Sequence, residues 1–188
     1  MRCSEVPELS CVQEEADGRL LFHAAHAAED GMEAVMISSN DTDVFILNLT
    51  LCSAIKAPMY QKSGTGTRTQ LIDICKLASC LGPSVCSALP GMHAFTGCDS
   101  VSYCAGKGKL AALKLLKSNE EVQKALKDLG KDWELSNTLF DQLENLTCQL
   151  YAPKQPASGV NELRYQLFCA KNMEILNLTS CLPAKTAC

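Results

Sequence analysis

Residues 33–51 read EAVMISSNDTDVFILNLTL, and the reading of this stretch decides the fold. The first part, EAVMISS at 33–39, is short, apolar and bounded by turn residues, which suits a buried β-strand. Asn40-Asp41-Thr42-Asp43 interrupts it. VFILNLTL at 44–51 is apolar and rich in branched residues, and reads as a second strand or a strand passing into a helix. Two acids just past a buried strand stand where open parallel α/β sheets place their ligands.

Upstream, EEADGRLLFHAAHAA (14–28) sets Leu20, Leu21, Ala24, Ala25 and Ala28 in one apolar stripe, which predicts a helix from about 15 to 29. Acids at its start sit where the helix dipole favours them. Downstream, PMYQK (58–62) is a short strand candidate and SGTGTRT (63–69) a loop. That loop lacks G-K-[ST], so it is no nucleotide-binding P-loop. QLIDICKLASCL (70–81) has helical spacing and stops at Gly82-Pro83. SVCSALPGMHAFTG (84–97) reads as a helix interrupted by Pro90-Gly91. Further helices are expected at about 108–117, 119–129, 135–150 and 160–172, with APKQPASG (152–159) as a linker. Strands early and helices late imply an α/β sandwich on a parallel sheet, with a helical extension. The expected divisions are 13–100 for the core, 101–151 for the helical extension, 152–159 for the linker and 160–188 for a last helix and tail.

The chain has 188 residues, 47% hydrophobic and 20% charged, a globular composition. Its formal net charge of −4 does not suggest a nucleic-acid binder, but the charge is uneven. Residues 1–50 carry ten Asp and Glu against Arg2 and Arg19, whereas residues 106–131 carry seven Lys against Glu120, Glu121 and Asp128. The twelve cysteines include no C-x-x-C pair, which argues against structural zinc. MRCSEVPELS is polar and charged rather than a signal sequence, and no apolar run reaches membrane-spanning length. An intracellular protein with reduced, mostly buried thiols is expected, the nucleus being one compatible compartment.

Three acidic groups stand out: Glu15-Ala16-Asp17, Asp41-Thr42-Asp43 and Asp99. On a parallel sheet all three could meet at the C-terminal edge of the strands. Five carboxylates in one place cannot all stay ionised without compensation, which divalent cations supply. Oxygen-only ligands select Mg²⁺ or Mn²⁺, and two such ions about 4 Å apart serve phosphodiester hydrolysis. Each acid also has a plain structural reading, as a helix cap or a turn residue. His23 and His26 read as packing or surface residues. His93 is a candidate partner for an acid, with a core role as the plainer reading. Trp133, the only tryptophan, reads as core.

The order of these motifs resembles the flap endonuclease family of the PIN-like nuclease superfamily. The matching residues are Glu15-Ala16-Asp17 at a helix start, Asp41-Thr42-Asp43 after a strand, and Gly97-Cys98-Asp99. Gly106 and Gly108 follow Asp99 by seven and nine residues, as in the family's pattern. From about residue 13 to 170 the chain is similar to the Asteroid-type branch of animal proteins in that superfamily. The resemblance implies a PIN-like α/β/α sandwich with a helix-hairpin-like DNA-binding turn. It implies two metal ions held by Glu15, Asp17, Asp41, Asp43 and Asp99. It implies a turn, Gly106-Lys107-Gly108, that offers backbone N–H groups to a phosphate of structured DNA. Lys107, Lys109, Lys114 and Lys117 would add sequence-independent attraction. The residues themselves, without a membrane-length apolar run or a P-loop, lead to the expectation of no membrane and no nucleotide cofactor.

The pattern departs from the family in three places. The family's first strand, with its own metal-site Asp, has no counterpart in the thirteen residues before Glu14, so the sheet is expected to lack that strand. Asp17 stands where the family has Glu, and Lys107 where it has an apolar residue. Three functions remain open: a metal-dependent nuclease acting on DNA or RNA, an inactive scaffold that binds nucleic acid or protein, and a transposon-derived gene fragment.

Overall fold

The structure, a computed structural model, describes residues 6–10, 12, 15–99, 101–154 and 157–180. The expected tail at 181–188 and the thiols of Cys3, Cys11, Cys181 and Cys188 lie outside the described residues. The architecture is α/β, a small mixed sheet of three strands and eight helices among the described residues.

Helix α1 (Ala16–Glu29) buries Leu21 and Ala24. Strand β1 (Val35–Ser38) pairs in parallel with β2 (Met59–Ser63), Val35 opposite Met59 and Ser38 opposite Lys62. A parallel pair needs a crossover, and α2 (Thr42–Leu51) lies within it. Residues 44–51 are therefore helix and not strand. Their apolar run carries no alternation because α2 packs against α1, α3 and α4, which leaves every side chain from Val44 to Thr50 buried or half-buried. Periodicity alone does not separate such a helix from a buried strand.

Residues 70–81 correct the expectation of one helix. They divide into β3 (Gln70–Asp73) and α3 (Ile74–Leu81), with Asp73 accepting the Lys76 N–H (2.9 Å) as the cap between them. Strand β3 pairs with β2 antiparallel, Tyr60 opposite Asp73, so the sheet has order β1-β2-β3 and is mixed rather than parallel.

Helix α4 (Pro83–Thr96) runs unbroken through Pro90 and Gly91, against the expected interruption. Proline at position 90 leaves the Cys86 carbonyl without its usual helical donor. The Thr50 hydroxyl of α2 lies 3.1 Å from that carbonyl and 2.8 Å from the Ile46 carbonyl, so its proton serves either. Glycine at position 91 permits a close approach of two helices, since a Cβ there would land on the Leu126 carbonyl oxygen of α6 (Glu120–Asp128). Helix α5 (Lys109–Ser118) also packs on α4.

One hydrophobic core runs from Leu21 through Val44, Leu49, Met59, Ile74, Leu89 and Met92 to Leu116, Leu126 and Leu146. Within it, Asn48 donates to the Gln61 side chain (2.9 Å), which donates to the Ser39 carbonyl (3.0 Å), so polar groups also tie α2 to β1 and β2. Helix α7 (Asn137–Tyr151) meets α8 (Val160–Ser180) through Cys148, Ala157 and Leu163. Trp133 is fully exposed in the turn before α7, contrary to its core reading. No helix is long and apolar enough to cross a membrane among the described residues.

The Gly91→Ala variant should lose about 1–3 kcal/mol of stability, the usual range for overpacking a dense core. Urea unfolding measures it, and an unchanged midpoint would contradict the α4–α6 contact.

Candidate metal centre

Two chain junctions bring three carboxylates together. Asp17 lies in the first turn of α1, and Asp41 and Asp43 flank the start of α2. One oxygen from each of Asp17, Asp41 and Asp43 lies within 4.8 Å of the others. Asp41 is exposed, while Asp17 and Asp43 are half-buried. Local geometry fixes Asp41: its extended backbone (φ −74°, ψ 135°) ends β1's exit, and its Oδ1 accepts the Asp43 N–H at 2.9 Å. Ser39 Oγ accepts the Asp41 N–H at 3.0 Å. The Asn40 side chain accepts the Gly64 N–H at 2.6 Å, which fastens the β2–β3 loop beside it.

Asp43 is held from the far side. His93, near the C-terminal end of α4, places Nε2 2.6 Å from Asp43 Oδ1. Lys109 Nζ lies 2.9 Å from His93 Nδ1 and also donates to the Gly97 carbonyl. The His93 side chain is about a tenth exposed, against 38% for Asp43.

Asp99 sits on a tight loop just after α4. Cys98 and Val101 exchange backbone hydrogen bonds (3.2 and 3.1 Å) around it. The loop turns at Gly97, whose φ of 108° and whose approach to Tyr103 leave no room for a side chain: a Cβ would lie 2.5 Å from Tyr103 Cα.

Two open clefts meet at these residues. One, of about 610 Å³, is lined by Glu15, Asp17, Asp43, Pro90 and His93 among others. The other, of about 300 Å³, includes Asp41, Asp43, His93, Asp99 and Lys109. Asp43 and His93 form the wall common to both.

The electrostatics follow from this gathering. Burial raises the Asp17 carboxyl above its ordinary 3.8, and the negative charges of Asp41, Asp43, Glu15 and Asp99 push it in the same direction. All five acids singled out in the sequence thus act on one neighbourhood. Only three of them form the tight group, however, and Glu15 and Asp99 stand outside it. The donor set is oxygen alone, which fits Mg²⁺ or Mn²⁺ and not a thiolate-seeking ion.

The basic residues are placed less uniformly. Lys114 and Lys117 are exposed on α5. Lys107 lies over the Tyr151 ring, 5.6 Å from its centroid, and its N–H is donated to the Cys104 carbonyl (3.0 Å). Lys109 points inward to His93 and Gly97 instead of outward. Gly106 is exposed with a φ of 70°, and Gly108 caps α5 facing open space. Lys109 as a partner of His93 has no spacing signature. Its one sequence signal is a cation at the first position of a helix, where the dipole opposes it. His26 pairs with Asp30 (3.2 Å), and His23 is exposed.

The chain matches no protein-family model, no curated protein and no solved structure.

The raised Asp17 carboxyl predicts a pH effect. With its folded value above its unfolded one, ionisation of Asp17 opposes folding, so this contribution improves as pH falls from neutral through the folded value. In metal-free buffer, Asp17→Asn should raise the unfolding midpoint at pH 7. The advantage should shrink as pH falls through the raised folded value and be gone at the ordinary Asp value. A variant no more stable than the parent at pH 7 would contradict the repulsion.

Proposed function

We propose that the chain is a nuclease-like protein in which Asp17, Asp41 and Asp43 hold Mg²⁺ or Mn²⁺ for phosphodiester hydrolysis of structured DNA or RNA. The observation that carries the reading is the convergence of these carboxylates, one oxygen of each within 4.8 Å of the others, with the Asp17 carboxyl raised by burial and by its acidic neighbours. Three carboxylates against the one nearby ammonium of Lys109 leave a net negative charge that favours an added cation. A PIN-like arrangement of the sheet belongs to this reading, as does an intracellular location beside the nucleic acid.

The residues divide the work by position. Asp41 caps α2 with Oδ1, leaving Oδ2 for an ion. Asp43 is oriented by His93, and Asp17 reaches in from α1. Glu15 and Asp99 border the two clefts and would serve a second ion. A bound ion supplies activation of water and neutralisation of charge at the scissile phosphate. Exposed Lys114 and Lys117 on α5 would draw the phosphate backbone by sequence-independent attraction.

Asparagine caps a helix as well as aspartate does, so Asp41→Asn removes a charge while sparing the α2 start. With Mg²⁺ or Mn²⁺ and flap, nicked or single-stranded substrates, the parent should cut. Asp41→Asn and Asp43→Asn should fall by more than the roughly 10–100-fold that outer-shell changes cost at metal sites. A folded parent that binds DNA in a salt-sensitive way and leaves every substrate intact, metal supplied, would replace hydrolysis with the binding-module reading.

A further inference from the structure

Lys109 lies at the first position of α5, where a cation meets the positive end of the helix dipole. Its ammonium is turned back instead onto the C-terminal end of α4. There it donates to the Gly97 carbonyl at the helix cap and reaches His93 Nδ1 at 2.9 Å. That end of a helix is negative, so the same cation that is unfavourable for α5 is favourable for α4.

The ammonium has three donors and no acceptor, so His93 Nδ1 must accept from it. The imidazole proton then resides on Nε2, and Nε2–H donates to Asp43 Oδ1 across 2.6 Å. Three groups from three elements thus form one directed chain: Lys109 of α5, His93 of α4 and Asp43 of α2. The imidazole is buried, which holds its ring plane, and it ties one oxygen of the Asp43 carboxylate.

We infer that Lys109 is a positioning residue for the metal site, setting the His93 tautomer that orients Asp43, and is not a phosphate contact. This role rests on the metal-site reading proposed above. It also joins the Gly106–Gly108 turn to the carboxylates, because Lys109 follows Gly108 directly.

The ¹⁵N spectrum of His93 in the metal-free protein tests the chain without any variant. The neutral ring should carry its proton on Nε2, and the Nδ1–H form, or a ring protonated on both nitrogens while Lys109 is in place, would overturn the inference. Mn²⁺ titration then compares the parent with Lys109→Met and Lys109→Arg. Lys109→Met should bind Mn²⁺ about tenfold more weakly, in line with outer-shell partners elsewhere. Lys109→Arg, which can donate to both acceptors, should recover most of the loss.

Salt dependence separates this role from DNA contact. Lys114→Met should reduce the slope of log affinity against log salt by about 0.9, the value for one lost phosphate contact, while Lys109→Met leaves it unchanged. An equal fall in Lys109→Met would make it a phosphate contact and overturn the positioning role. A parent that takes up no Mn²⁺ overturns the metal reading and this role with it. Mn²⁺ binding that Lys109→Met leaves intact overturns this role alone.

Discussion

The Asp41 side chain accepts the Asp43 N–H at 2.9 Å, and at that bond the chain stops being strand and becomes helix. The first N–H groups of a helix have no internal acceptor, so a carboxylate beside them is both a hydrogen-bond partner and a counter-charge to the dipole. Without it, VFILNLTL has as much reason to continue as a strand as to coil. Once α2 starts there, its apolar faces are enclosed by α1, α3 and α4, and β2 returns beside β1 in parallel. The buried Asn48–Gln61–Ser39 bonds then lock the crossover to the sheet.

The same junction accounts for the candidate site. A cap at 41 points one acid outward, and one residue beyond Thr42 another faces α4 and meets His93. Asp17, in the first turn of α1, joins them because α1 packs on α2. Each acid therefore has a local structural role, and each such role is ordinary by itself. Together they have one effect: burial, joined by the charges of Asp41, Asp43, Glu15 and Asp99, raises the Asp17 carboxyl above its ordinary value.

Much of this was legible in the residues, and the gaps have physical causes. α1 shows its stripe from Leu20 to Ala28, and β1 its short apolar run, because both are covered on one side or bounded by turns. α2 was ambiguous because burial on every side erases the amphipathic period. β3 was hidden inside a helical pattern: only four residues long, it shares Leu71 and Ile72 with the spacing that leads into α3. Pro90 looked like a break, but the Thr50 hydroxyl 40 residues earlier reaches the carbonyl it frees. The acids of the site were visible as D-x-D and as pairs at helix starts. His93 reads as a candidate partner for an acid, but neither the choice of Asp43 nor the link to Lys109 is legible, since those bonds cross 50 and 16 residues.

Crystals soaked in Mn²⁺ and measured at the manganese absorption edge address the carboxylate cluster directly. An anomalous peak should stand among Asp17, Asp41 and Asp43, with carboxylate oxygens at ordinary metal–oxygen distance, about 2 Å. Crystals that take up Mn²⁺ elsewhere and show none among these three carboxylates would contradict a metal centre there.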